Sequence, residues 1–162
     1  MNRIFKGLDR LEEAILSILM LIMTIAIVTQ VFSRTIFNNS LAWTEEVARF
    51  ILVWITFIGA SLGVKKGAHI GVEAFTMLLP KKVSELIKYL VLIICMFFTF
   101  TVFKDSISIL QKQISTGQVS SAVQIPMWIP YLGVTVGTFL MTLRFIEAFC
   151  ELLKNRKIGG KN

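Results

Sequence analysis

Twenty consecutive residues without a charge, 14–33, separate Glu13 from Arg34. At about 1.5 Å rise per residue, a helix of that length crosses the roughly 30 Å hydrocarbon layer of a bilayer. The run is too long for the apolar core of a signal peptide, and no small-x-small cleavage site precedes Arg34, so it reads as a retained first helix. Further apolar runs follow at 50–64, between Arg49 and Lys65, and at 89–103, between Lys88 and Lys104. A fourth lies inside the uncharged stretch 113–143, with Pro126 as its start. Composition agrees. Only 17% of residues are charged, against about 25% in a soluble domain, and a chain that is 55% hydrophobic is too apolar to stay disordered. The expectation is an all-α integral membrane protein forming one domain, 1–162. Its four transmembrane helices, at about 13–34, 44–65, 82–112 and 126–150, are expected to close into one compact bundle.

Charge placement orients the helices. Thirteen of the seventeen Lys and Arg residues fall in three segments: the N-terminus, the 65–88 connection, and the stretch from Arg144 to Lys161. The two other connections share Arg34, Arg49, Lys104 and Lys112. Positive residues are retained on the cytoplasmic side, so both termini are expected to be cytoplasmic. Trp43, Trp128 and Tyr131 then gather at the outer interface as an aromatic belt. Basic residues scattered between apolar runs do not make the water-facing patch that nucleic acid requires, so no nucleic-acid partner is expected. Cys95 and Cys150 are too few for a disulfide framework and read as small buried side chains.

Within the 65–88 connection, Ile70, Ala74 and Leu78, with Phe75 and Leu79, recur at helical spacing before Pro80. A short amphipathic helix at about 69–79, lying on the cytoplasmic headgroups, fits this pattern, with Lys65 and Lys66 reaching anionic phospholipid. A solvated hairpin is the alternative. The stretch 154–162 reads as a flexible cytoplasmic tail.

Helix two carries the most informative residues. Its fifteen uncharged residues (50–64) span only about 22 Å, so it must recruit flanking turns to cross. Upstream stands Trp43-Thr44-Glu45-Glu46-Val47-Ala48-Arg49. Thr44 suits an N-cap, Glu45 and Glu46 complement the helix dipole, and either acid is spaced to pair with Arg49. Charges at this depth must pair with one another or meet polar groups on another chain. The plainer reading is a capped helix with a snorkelling arginine. Three charges in a turn and a half beside Trp43 favour a docking surface. Further along, Gly59 and Gly63, and in helix four Gly133 and Gly137, form small-xxx-small faces that let backbones approach closely in lipid, within the bundle or against a partner.

Chemistry is sparse. No acid lies near the centre of any span, no helix is interrupted mid-span as transporter half-helices are, and His69 stands alone. No nucleophile-base pair or phosphate loop is present, so the chain is not expected to be an enzyme. Two other classes remain open for a tetraspan of this size. A self-sufficient dimeric exporter would want a membrane-embedded carboxylate, and a redox-enzyme anchor would want helix-borne haem ligands; no span contains a His.

The 43–49 motif, followed by Gly59, Lys65-Lys66 and His69-Ile70-Gly71-Val72-Glu73, and by the Pro126-Met127-Trp128 start of helix four, resembles the small (Q, DctQ-type) membrane subunit of TRAP transporters. The resemblance implies a bacterial inner-membrane scaffold for a larger permease subunit. That partner binds sodium and substrate and moves like an elevator, so no cofactor is expected in this subunit. A periplasmic substrate-binding protein would deliver organic acids of the C4-dicarboxylate or sialic-acid class. By the resemblance, Trp43, Glu45, Glu46 and Arg49 sit at the periplasmic end near the large subunit. Lys65, Lys66, His69 and Glu73 would anchor the cytoplasmic side. No transport-site residue carries over.

Overall fold

A computed structural model describes residues 2–38, 41–67 and 80–159 as four helices: α1 (Asn2–Ile36), α2 (Ala42–Gly67), α3 (Lys81–Thr116) and α4 (Trp128–Gly159). Each contains a segment long and apolar enough to cross a membrane: Gly7–Ile36, Ala42–Lys65, Val83–Thr116 and Trp128–Lys154. The expected surface helix at 69–79, with His69 and Glu73, lies outside the described residues. Among the described residues, the one β feature is an isolated antiparallel bridge between Val119 and Pro126.

The helix ends follow local chemistry. α1 stops where Asn38 adopts a left-handed φ of 50°, a conformation asparagine tolerates, just after the Phe37 amide has bonded back to the Ser33 carbonyl. Pro80 starts α3, and its free carbonyl accepts the amides of Val83 and Ser84. Gly117, at φ 60°, closes the same helix by donating to the Ile114 carbonyl. α4 begins at Trp128, two residues later than Pro126 suggests, because Pro126 is held in the bridge to Val119. Pro130 falls in the first turn, where its missing amide costs nothing.

The four helices form an open layer, not the closed bundle expected from the sequence. α1 packs on α2, α2 on α4, and α4 on α3, and among the described residues no other pair of helices packs backbone against backbone. The order across the layer is therefore α1–α2–α4–α3, with α1 and α3 at opposite edges and the last helix in sequence, α4, inside. A closed bundle is needed in water to hide apolar surface; in a bilayer, lipid covers that surface and the helices need not close. Burial identifies the centre of the layer. In the most apolar window of α4, 39% of residues are buried, against 6% in α1.

α4 meets α2 at close range. A Cβ on Gly137 would collide with that of Phe57 and lie 2.7 Å from the Phe57 carbonyl carbon, and one on Gly133 would lie 2.9 Å from the Trp54 ring. Beside these glycines, α4 buries Thr135, Thr138 and Thr142. Their hydroxyls donate to carbonyls of their own helix, so they present small, satisfied surfaces. On its other side, α4 is joined to α3 by aromatic contacts, Phe139 with Phe103 at 5.4 Å and Phe149 with Tyr89 at 6.0 Å. Cys95 is half-buried and Cys150 exposed, and both are free, so neither is the small buried side chain expected.

Candidate functional site

The layer carries charge at its two ends. At the end holding the 117–127 connection, the 43–49 motif forms the first two turns of α2. The helix starts at Ala42, so Thr44 lies inside the first turn and is not the N-cap. Its hydroxyl donates to the Leu41 carbonyl at 2.7 Å, and the side chain is fully buried. Glu45 and Arg49 pair at 3.0 Å on the exposed side of the helix. Glu46 does not pair with Arg49. Its Oε2 accepts the backbone amides of Ala122 and Val123, both at 2.9 Å, from the connection between α3 and α4. That connection is folded by its own bonds as well: Ser120 N–H to the Ile125 carbonyl at 2.8 Å, and Met127 N–H to the Gln118 carbonyl at 2.8 Å. The carboxylate and the turn geometry together fix the connection against α2. Trp43 is exposed beside this site.

Below Arg49 an apolar groove of about 230 Å³ opens between Phe50 and Val53 of α2 and Met127, Pro130, Tyr131 and Val134 of α4.

At the opposite end, a cluster not expected from the sequence ties three helices together. Arg144 of α4 is buried, and its Nε donates to the Ser61 hydroxyl of α2 at 3.0 Å. Its Nη2 donates to Asp9 of α1 at 2.9 Å and to Glu12 of α1 at 2.6 Å. Lys65 of α2 also pairs with Asp9. Two acids and two bases thus balance where α1 and α4, which do not pack on each other, both reach across α2. A buried charge is tolerated when it is paired and hydrogen-bonded in this way. The signal available in the sequence was the isolation of Arg144, the only Lys or Arg between Lys112 and Lys154, and the i,i+3 spacing of Asp9 and Glu12. Counting Arg144 with the tail concealed it.

The glycine faces differ from one another. Gly133 and Gly137 make the α4–α2 crossing, whereas a Cβ on Gly59 would make ordinary contact with Leu16 at 3.9 Å, and one on Gly63 would meet nothing within 4 Å. Among the described residues the α2 pair therefore forms no tight crossing, because Gly63 meets neither neighbouring helix. Of the residues expected at the terminal end, Lys65 joins the cluster and Lys66 lies in the last turn of α2. Among the described residues, no three His, Cys, Asp or Glu side chains are grouped to hold a metal ion.

Comparison with known proteins adds to this geometry. Residues 23–155 match the family profile described as "Tripartite ATP-independent periplasmic transporters, DctQ component". A C4-dicarboxylate TRAP transporter small permease protein of Vibrio cholerae is 24% identical over 186 residues, covering 98% of this chain and 79% of that protein. The isethionate TRAP transporter permease protein DctMQ of Oleidesulfovibrio alaskensis is 34% identical over 107 residues, 65% of this chain and 16% of that protein. The sialic acid TRAP transporter permease protein SiaT of Haemophilus influenzae is 27% identical over 150 residues, 88% of this chain and 23% of that protein. The chain thus spans about four fifths of the first relative and less than a quarter of the other two.

Proposed function

Because the chain belongs to the DctQ family of tripartite ATP-independent periplasmic transporters, whose small permease subunits it matches, we propose that it is a non-catalytic, non-transporting scaffold for a large permease subunit. The large subunit would bind sodium and substrate and carry out an elevator movement, with a periplasmic substrate-binding protein delivering the solute. The complex would sit in the bacterial inner membrane with both termini of this chain in the cytoplasm, the side favoured by the placement of Lys and Arg.

The observation that carries this reading is the distribution of polar groups along the layer. Charge is concentrated at the ends, in the Glu45–Arg49 and Glu46 site and in the Arg144 cluster. Between them, the hydroxyls of Thr24, Thr29, Thr56, Thr99 and Thr101 each donate to a carbonyl of their own helix. Such hydroxyls have spent their one proton on the backbone and have no donor left for an organic acid in passage. An open layer with large exposed apolar faces suits a wall that another protein leans on.

Trp43, Glu45, Glu46 and Arg49 would then stand at the periplasmic edge of the contact with the large subunit. Lys65, Lys66, His69 and Glu73 would meet phospholipid headgroups or the partner at the cytoplasmic edge. The relatives are named for C4-dicarboxylates, isethionate, sialic acid and ectoine, which supports a small organic solute for the assembly. DctMQ and SiaT, much longer than this chain, are named simply as permease proteins, which supports a large partner in the same assembly. Affinity capture of the tagged chain from native membranes tests the reading. A many-helix permease should co-elute in near-equal amount, and elution of the chain alone or only with itself would reject it.

A further inference from the structure

The open layer exposes apolar surface on all four helices, but the composition differs from helix to helix. α1 exposes Leu21, Ile25 and Phe32, and α3 exposes Leu90, Ile94 and Phe97, bulky side chains that interlock well with acyl chains. The exposed side of α2 is different. Apart from Ala42, Trp43 and Lys65 near its ends, its exposed residues are Glu45, Arg49, Leu52, Thr56, Ala60 and Gly63, spaced at three and four so that they form one continuous line down the helix. Leu52 is the only large apolar side chain in that line. The line ends in an open glycine, where a Cβ would meet nothing within 4 Å.

This line faces away from everything that holds the layer together. Ser61 and Trp54 turn toward α4, and Lys65 toward Asp9 of α1. Gly63 stands two positions from Ser61, about 200° around the helix, on the opposite side. Because α1 and α4 flank α2, the line runs down the middle of one face of the layer, not along an edge. At its charged end it joins the groove between Arg49 and Val53 of α2 and Tyr131 of α4.

We propose that this line on α2 is the seat of one transmembrane helix of the large permease subunit, which approaches most closely at Ala60 and Gly63. The inference rests on the reading of the chain as a small permease subunit and goes beyond it by naming the surface. Three features favour a helix over lipid. Small residues allow backbones to approach, which is the source of van der Waals contact between helices in a bilayer. An exposed ion pair inside a span gains from polar groups that a helix can bring and an acyl chain cannot. The groove beside Arg49 gives a partner side chain a recess to fill at the point where the charges would otherwise face hydrocarbon.

The test uses the chain co-expressed with the large subunit that it captures from native membranes. Gly63→Leu and Ala60→Leu fill the seat, while Leu21→Ala and Phe97→Leu alter exposed positions on α1 and α3. Melting of each isolated variant in detergent monitors the fold, and Gly63→Leu enters open space, so its melting should match that of the wild type. The expected result is that Gly63→Leu and Ala60→Leu lower capture of the large subunit by about tenfold or more, with the α1 and α3 variants within about twofold of wild type. Undiminished capture by both filled variants would overturn the inference. So would native mass spectrometry showing a retained phospholipid lost from the filled variants while capture persists, or loss of a homodimer in its place. If the wild-type chain captures no large subunit, the small-subunit reading itself fails, a result distinct from these.

Discussion

Arg144 and Glu12, 132 positions apart in the chain, meet through Nη2 and Oε2 at 2.6 Å, and both side chains are only 5% exposed. The pair connects the helix at the centre of the layer to the helix at one edge, although the two do not pack together. α1, with 6% of its apolar window buried, is thus placed by charge at one end as well as by its contact with α2.

Removing Arg144 should therefore be severe. Arg144→Leu leaves Glu12 and Asp9 without their shared guanidinium, and stranding a buried charge costs about 3–5 kcal/mol. Glu12→Gln keeps a hydrogen-bond acceptor and leaves Arg144 on Asp9, so it should cost distinctly less. Thermal unfolding of the purified chain in detergent checks the order, and equal melting temperatures for both variants would contradict it.

The contrast between glycines offers a second check. Gly137→Ala drives a methyl group into the Phe57 backbone, which cannot give way as a flexible side chain could. Overpacking of this kind costs about 1–3 kcal/mol. Gly63→Ala meets open space and should leave the isolated chain's stability unchanged or slightly raised. Paired melting curves for the two variants read this directly.

The four spans were legible in the sequence because charge-free runs of adequate length have few uses other than crossing a bilayer. The layer order was not legible. A helix surrounded by lipid and protein is apolar on all sides, so α1 and α3 show no polar stripe to reveal which face meets a neighbour. Thr44 misled for a local reason: a threonine ahead of two acids suits an N-cap, but the helix has already begun at Ala42 and the threonine hydroxyl is drawn back to the Leu41 carbonyl. The glycines were legible as a spacing but not as a contact, since only Gly133 and Gly137 of the two pairs are pressed against a neighbour.

Glu46 should matter to the connection between α3 and α4. Glu46→Gln weakens the acceptor for the Ala122 and Val123 amides, and Glu46→Lys removes it and adds a like charge near an amide cluster. Hydrogen exchange at those two amides should quicken in the order wild type, Gln, Lys, while amides in the middle of α4 keep their protection. Unchanged exchange at Ala122 and Val123 would show that the turn's own hydrogen bonds suffice.

Arg49 should behave oppositely to Arg144. Its pair with Glu45 is well exposed, and pairs of that kind contribute about 0–1 kcal/mol. Arg49→Ala should leave the melting of the isolated chain nearly unchanged yet weaken capture of the large subunit. Co-purification of equal amounts with wild type and variant would place Arg49 outside the contact.

Sodium-gradient-driven uptake into proteoliposomes tests the scaffold role most directly, with a C4-dicarboxylate, isethionate, sialic acid and ectoine offered as solutes. Uptake of a solute is expected only when this chain, the large subunit and the binding protein are reconstituted together. Uptake by this chain alone, or undiminished uptake by the large subunit and binding protein without it, would contradict the account.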